Sequence, residues 1–413
     1  VTEEELRHEV TAWFGENWNP DLSLLEWRTI LVDAGWAVPS WSREWFGRDL
    51  PAWTDPVVHA TIRELGGVAV PLGGGMGLAA PTMYEHGSDE LKGRLLKPTI
   101  TGELEWCQLF SEPEAGSDLA GLKASAVRDG DQWILNGQKV WNTSADHADM
   151  GILVARTDWD VPKHPGITYF VIDMHQDGVE TRPIAQMNYH DSFNEVFMSD
   201  AVVPHANVIG DVGDGWRVAR ATLSHERSFS TQRNVYFKPG ATGRVIDEAK
   251  AEAASYLKTY EWYPQRKGRF DLLISEAQAR GVNNDPVVRD ELMKAWTYEK
   301  AAALTAERAA VQRALGRPPG PEGSIGKLAL SEVARRCNHM HSMLAGASGM
   351  LAGSEGDDTH AAIAETLIST PAQSIAGGTD QVQKNILGER MLGLPKEPSV
   401  DKGVPFRDVG KKA

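Results

Sequence analysis

The sequence predicts an α+β chain that is mostly α: helical at the start, β in the middle and helical again to the end. Three observations carry this. Apolar residues recur at helical spacing over the first hundred residues, with Leu6, Val10 and Phe14 four apart and Trp13 beside them. Between about Glu105 and Val208 the pattern becomes period two, with turn signals at short intervals. From Gly215 onward long helical stretches return, among them an alanine-rich stripe running from Leu292 to Ala310.

In order along the chain, Glu26 to Ala34 continues the helical pattern, and Pro39 and Pro51 interrupt it. Trp36 to Trp53 reads as a compact connection pinned by aromatics. Seven of the 14 tryptophans fall in the first 53 residues (Trp13, Trp18, Trp27, Trp36, Trp41, Trp45 and Trp53). Pro56 to Gly66 and Pro81 to Leu96 are further helices, separated by a flexible Gly73-Gly74-Gly75 loop. In the β region, Asp129-Gly130 and Asn136-Gly137 are both hairpin signals, flanked by strands at 124–127 and 133–135. Further strands are expected at 151–155, 167–172 and 193–198. Val288 to Leu315, Ser324 to Leu344 and Asp380 to Leu394 are helices, the first ended by Pro318-Pro319-Gly320-Pro321 and the last by Pro395. Small residues at helical spacing suit close helix packing in a bundle. The expected segments are 1–104, 105–214, 215–396 and a loosely held polar tail at 397–413.

Composition narrows the function. With 413 residues the chain is long enough for two or three domains and needs no disulfide or metal staple. Lys+Arg 42 against Asp+Glu 57 gives a net charge of −15, which argues against nucleic acid or an anionic membrane as partner. Two cysteines, Cys107 and Cys337, are too few for a disulfide framework and suit a reducing compartment. The acidic start, Val1 to Leu6, shows neither a signal-peptide core nor an Arg-rich transit pattern, and no apolar run reaches membrane-spanning length. A cytoplasmic enzyme is the expectation.

Most motifs dissolve on inspection. Cys337, His339 and His341 have a ligand-like look, but on a helix His339 points away from the other two, and no metal is expected. The Gly73–Gly77 run lacks both the Lys-Ser/Thr of a P-loop and a preceding strand. Gly346-Ala347-Ser348-Gly349 has the wrong spacing for a nucleophile elbow. Phe110 to Asp118 offers Gly116-Ser117 backbone amides and a hydroxyl that suit a phosphate, although a surface turn accounts for the spacing equally well. His225-Glu226-Arg227 reads as the opening of a helix after Leu223, where the dipole favours a glutamate. Gly377-Gly378-Thr379-Asp380 reads as a loop with an N-cap.

Taken together and in order, these segments resemble the acyl-CoA dehydrogenase family of flavoenzymes. The runs that carry the resemblance are Ser111-Glu112-Pro113-Glu114-Ala115-Gly116-Ser117-Asp118, Leu135 to Thr143, Asp200-Ala201-Val202-Val203-Pro204 with Ile209-Gly210, and Gly377 to Ile386. The resemblance implies an N-terminal helical domain, a central β-barrel or sandwich and a C-terminal four-helix bundle. It implies FAD as cofactor, an acyl-CoA as substrate and an electron-transfer flavoprotein as electron acceptor. It also implies assembly as a homo- or hetero-oligomer, dimer or tetramer.

Many members carry the catalytic Glu directly before Gly-Thr, where this chain has Gly377. A smaller group, similar to isovaleryl- and long-chain acyl-CoA dehydrogenases, places the base before an Arg on an earlier helix, and Glu226-Arg227 matches that site. The resemblance therefore implies Glu226 as base, Arg227 in support and the Gly377 N–H on the thioester carbonyl. By the same resemblance Phe110, Ser111, Trp141 and Thr143 lie at the flavin, Gly116 and Ser117 at the pyrophosphate, and Thr379 and Gln381 at the adenosine half. Arg280 matches an Arg that reaches FAD across a subunit interface, but Asn283, Glu291 and Ser342 depart from the usual Phe, Gln and Gln. Those departures are similar to actinobacterial-type enzymes for long or bulky acyl chains, some of them heterotetramers. A subunit that completes a partner's FAD site is the alternative function.

Overall fold

The computed structural model describes residues 1–229, 235–314, 320, 322–351, 358–398 and 401–410, with side chains at 227–229, 310, 313–314, 322, 350 and 358 outside that set. The chain divides into two compact units: residues 1–184, 191–259 and 399–413 form one, and residues 185–190 and 260–398 the other.

The first unit opens with helices α1 (Glu3–Asn17), α2 (Leu24–Asp33), α3 (Thr54–Leu65), α4 (Ala80–His86) and α5 (Asp89–Thr101). Thr2 with Glu5 and Ser23 with Glu26 each form a capping box, so the amides at the starts of α1 and α2 are satisfied locally. Leu6, Val10 and Phe14 are buried as their spacing requires. The tryptophans do pin this region. Trp18 stands edge-on to Trp27 at 4.6 Å, Trp41 stacks on Tyr84 at 4.3 Å, and the Trp27 indole donates to the Val68 carbonyl at 2.6 Å. Two local expectations fail. The helix expected from Pro81 to Leu96 breaks at Gly87, because Ser88 caps a new helix by accepting from Leu91 N. The glycine run at 73–75 is not a slack loop but leads into a π-helical turn, Gly75–Ala79, set so close to Trp106 that a Cβ on Gly74 would meet its carbonyl at 2.9 Å.

The central sheet has eight strands in the order β6-β7-β3-β2-β4-β5-β8, with β1 beside β4. The strands are β1 (Trp106–Leu109), β2 (Ser125–Asp129), β3 (Gln132–Thr143), β4 (Met150–Arg156), β5 (Ile167–Asp173), β6 (Val179–Ile184), β7 (Phe193–Pro204) and β8 (Val208–Ile209). Asp129-Gly130 makes the expected β2–β3 turn. Asn136-Gly137 does not: β3 runs straight through it against β7, with a register shift between Leu135 and Gly137. Gly137 sits at φ +150 and passes so near Ala124 that a Cβ would meet that residue's Cβ at 2.6 Å, so the glycine serves a bulge and a close approach.

Helices α6 (Gly215–Phe229) and α7 (Arg244–Thr259) complete this unit together with the C-terminal segment. Within the tail, the segment around Phe406 is held in place. Phe406 is buried beneath the Arg156 guanidinium, 3.4 Å from its ring centroid, and the amides of Phe406 and Arg407 donate to Val161 and Trp159 carbonyls.

The second unit contains α8 (Tyr263–Arg266), α9 (Leu273–Ala279), α10 (Pro286–Ala314), α11 (Glu322–Ala345), α12 (Asp358–Ser369) and α13 (Asp380–Arg390). Helix α13 ends at Arg390, before Pro395, and Met391 caps it through Leu387 O. The core gathers Leu273, Ala277, Val288, Ala295, Val333, Cys337, Met340 and Leu344. The alanine stripe of α10 is only partly used here: Ala295 is buried, whereas Ala303 and Ala306 are exposed, as are Met293, Trp296 and Leu304.

Candidate active site

Strand β1 delivers Phe110 and Ser111 to a fixed position. Lys139, fully buried, donates from Nζ to the Phe110 carbonyl at 3.0 Å and to Glu112 Oε1 at 2.8 Å. Glu112 in turn accepts from the amides of Lys123 (2.6 Å) and Ala124 (2.9 Å). Burial pulls the lysine's pKa down and the Glu112 charge opposes that pull. A buried pair of this kind persists when further hydrogen bonds support it, here the Phe110 carbonyl on the lysine and the Lys123 and Ala124 amides on the carboxylate. The Val140 amide donates to Ser111 O at 2.9 Å. Phe110 is therefore buried and Ser111 half-buried, while Gly116 and Ser117 are exposed on the same loop. A Cβ on Gly116 would meet nothing within 4 Å, so internal packing does not call for glycine there.

Trp141 follows at a second register shift of β3, between Val140 and Asn142. Its φ is +65, a left-handed conformation that costs a bulky residue, and its side chain is 58% exposed. An exposed indole in a strained backbone marks a binding surface better than a core. Phe193 braces it edge-on at 5.8 Å. Behind it Asn142 is buried and donates to the Gln108 carbonyl at 2.7 Å. Thr143 ends the strand half-buried.

Helix α6 carries Glu226. Its N-terminus lies against β5 so tightly that a Cβ on Gly215 would meet the Thr168 carbonyl carbon at 2.5 Å. Val218, Ala219 and Thr222 are buried, and Glu226, half-buried, continues the same stripe one turn after Thr222. Glu226 does not open a helix, as its neighbours in sequence led one to expect. It lies in the last described turn of α6, well inside the helix rather than at its start. Helix α6 starts at Gly215 and runs through this position without a break. Beside it, His225 Nε2 stands 3.3 Å from Glu85 Oε1, and this histidine holds the Glu85 carboxyl below its usual range. The Arg227 side chain lies outside the described residues.

In the second unit Gly377 and Gly378 take φ +67 and +78, and Thr379 caps α13 by accepting from Val382 N at 3.3 Å. A Cβ at Gly377 would meet nothing within 4 Å, whereas one at Gly378 would strike Gln383, whose amide donates to the Gly377 carbonyl at 3.2 Å. Gln381 is exposed. Asp380 is buried between Lys327 (2.8 Å) and Arg335 (2.7 Å); burial raises its pKa, but the two cations win and hold it well below the usual range. Arg280, exposed at the end of α9, lies 3.4 Å from Glu276 and lines a cavity of about 430 Å³ with Leu272, Ser275 and Ile363.

Comparison with known proteins interprets these two groups. Models of the N-terminal, middle and C-terminal domains of acyl-CoA dehydrogenases match residues 1–103, 107–201 and 269–392. Acyl-CoA dehydrogenase IpdE1 of Mycobacterium tuberculosis is 31% identical over 95% of this chain and 98% of its own length. The chain belongs to the acyl-CoA dehydrogenase family. The family is one of oxidoreductases, and its α–β–α architecture is the one described above. Another relative, acyl-CoA dehydrogenase FadE34 of M. tuberculosis, is 36% identical over 77% of the chain, which spans only 39% of that longer protein. Among solved structures, a Tcur3481-Tcur3483 steroid ACAD (TM-score 0.67, 22% identity, 96% of this chain and 98% of that one) shares the fold. So does the ChsE4-ChsE5 complex of M. tuberculosis (TM-score 0.62, 24% identity, 96% and 98%).

Several residues around the candidate site escaped the sequence reading. Glu112 and Lys139 stood inside quoted motifs without a role, because nothing local reveals that they pair. Arg156 is buried and donates to the Ala120, Leu122 and Lys163 carbonyls, which ties the 120–122 segment to the stretch around Lys163. Among the described residues no cluster of three His, Cys, Asp or Glu is placed to hold a metal ion, and no helix is long and apolar enough to cross a membrane. Cys107 and Cys337 are buried free thiols, both pushed up to about 12 by burial.

Proposed function

We propose that the chain is an FAD-dependent acyl-CoA dehydrogenase that converts an acyl-CoA thioester to its trans-2-enoyl-CoA, with Glu226 as the base. The observation that carries this reading is a pair of complementary positions. Residue 377 offers no carboxylate, and Glu226 continues the buried stripe of α6. The residues present suit the flavin. Trp141 gives an exposed aromatic face in a strained backbone, Gly116 an open backbone that no packing requires, and Ser111 a hydroxyl on a braced strip.

In this reading Phe110, Ser111, Trp141 and Thr143 hold the isoalloxazine, Gly116 and Ser117 the pyrophosphate, and Thr379 and Gln381 the adenosine half. Arg280 reaches a neighbouring subunit's cofactor. When bound, FAD accepts the β-hydrogen and its electron pair. Glu226 takes the α-proton, a poor acid that is released only if the developing enolate is stabilised. The Gly377 N–H donates to the thioester carbonyl for that purpose, and Arg227 supports the base. The braced strip under Ser111 excludes water and fixes the approach of the two reacting groups. Electrons then pass to an electron-transfer flavoprotein. The exposed apolar face of α10 supports assembly as a dimer or tetramer, with itself or with a related chain.

Glu226→Gln keeps the shape and removes the base. It lowers turnover by at least ~10²-fold with the flavin spectrum intact, as general-base loss requires; near-normal turnover contradicts the assignment. A panel of short, long, branched and steroid-linked acyl-CoA thioesters identifies the substrate. The altered Asn283, Glu291 and Ser342 favour a second reading, a subunit that completes a partner's site, and a colourless protein on expression alone supports it.

A further inference from the structure

We infer that Tyr169 and Thr222 are positioning residues that set the distance between the base-bearing helix and the flavin strip. The inference rests on Glu226 being the base, and every group in it lies within the first unit.

Tyr169, on β5, and Thr222, on α6, are both fully buried. The Tyr169 phenol oxygen is 3.0 Å from Thr222 Oγ1, which is also 3.0 Å from Thr82 Oγ1 of α4 and donates to the Val218 carbonyl at 3.2 Å. Burial pushes the phenol's pKa up, so it stays a neutral hydrogen-bonding group. On its other side the Tyr169 ring meets Phe110 edge-on, 5.7 Å between centroids at 88°. A chain of contacts thus runs from the proposed flavin strip through Phe110, Tyr169 and Thr222 to a helix whose next inward residue is Glu226.

A polar cluster in such an apolar setting is unusual. Tyr169 belongs to the same hydrophobic core as Ile152, Val154, Ile167, Val171, Ile209 and Val218. An aliphatic side chain would fill the space at Thr222 without desolvating a hydroxyl. What the hydroxyls add is direction. Apolar contact tolerates sliding of a helix by a fraction of an ångström, whereas three hydroxyls within 3.0 Å fix its rotation and height. The tight seat of Gly215 on Thr168 holds the start of α6, and the Thr222 cluster holds it two turns later. The described turn beyond carries Glu226. Removing the cluster takes away the hydroxyl anchor one turn before the base, and a small misplacement of a reacting group is costly in rate.

The test uses the flavin-loaded enzyme with the fastest of butyryl-, isovaleryl-, palmitoyl- and steroid-side-chain-CoA. Tyr169→Phe and Thr222→Val each lower kcat by ~10-fold while KM stays within about two-fold. Flavin content is unchanged in both. The isotope effect with α-deuterated thioester rises, and that with β-deuterated thioester does not, because only the proton acceptor has moved. Thr222→Ser, which restores the hydroxyl, returns kcat to within about two-fold of the parent. Unchanged kcat and isotope effects in Tyr169→Phe and Thr222→Val overturn the inference. So does Thr222→Ser behaving like Thr222→Val, or loss of flavin from Tyr169→Phe. Failure of the base assignment has a different signature: Glu226→Gln then keeps its turnover. In that case faster backbone amide exchange over residues 218–226 in Thr222→Val still tests whether the hydroxyls anchor the helix, and unchanged exchange overturns it.

Discussion

Two regions of the chain hold an exposed backbone segment on a buried carboxylate, and they do it differently. In the first unit Glu112 and Lys139 are both enclosed, and their remaining hydrogen bonds go to backbone groups of the loop they support. In the second unit Asp380 is buried, but Arg335, one of its cations, is 49% exposed, and the exposed Gly377-Gly378 turn just precedes it. The first arrangement suits a rigid wall that keeps a strained Trp141 and a fixed Ser111. The second suits an exposed turn whose support can exchange with water. Breaking an enclosed pair leaves a charge with nowhere to go, and breaking a half-open one lets water in.

That contrast is open to direct attack. Lys139→Met strands the Glu112 carboxylate, so urea unfolding followed by tryptophan fluorescence drops by about 3–5 kcal/mol and flavin is lost. Lys139→Met with Glu112→Gln recovers part of that loss, since the unpaired charge is gone. A loss under about 1 kcal/mol for the single variant breaks the comparison. Phe406→Ala removes the ring beneath Arg156 and costs about 3 kcal/mol, at the low end for burying and then deleting a phenyl group. Flavin retention falls with it, because Arg156 also ties down the 120–122 segment that follows Gly116 and Ser117 in the chain; unchanged retention separates the tail from the site. Asp380→Asn costs less, about 1–2 kcal/mol, read by the same unfolding curve.

The smallest effect is one of pH. The Asp380 carboxyl is held below its unfolded value of 3.8, so its contribution is complete above that value and is lost as pH falls through the depressed folded value. Unfolding curves of the parent and Asp380→Asn therefore converge as pH is lowered from about 4 towards 2. A gap that stays constant over that window contradicts the ion-pair explanation.

Much of this molecule was legible in its residues. Helical spacing located α10 and α11 to within a few residues, and the run from Ser111 to Asp118 pointed to the loop that the structure braces. The failures share a cause. Asn136-Gly137 supplies a positive φ, which a hairpin turn and a bulge both use, and only β7 pairing along the whole of β3 decides between them. His225-Glu226-Arg227 looked like a fresh helix start, yet the helical sequence that returns at Gly215 runs straight through it, and the missing side chain at Gly215 is what lets α6 approach β5. Phe406 is a single aromatic in a polar tail, and its partner Arg156 lies 250 positions away. Lys139 and Glu112, Tyr169 and Thr222 pair across the fold in the same way. Spacing within a window cannot report such partners.

One measurement goes to the centre. Anaerobic mixing of flavin-loaded Glu226→Gln with each thioester that reduces the parent enzyme follows the bleaching of the flavin itself, before any electron acceptor takes part. Reduction slowed by at least ~10²-fold for every thioester, with flavin content and thioester binding unchanged, is the expected result. Reduction within a few-fold of the parent rate contradicts Glu226 as the base and sends the search for the proton acceptor elsewhere in the chain.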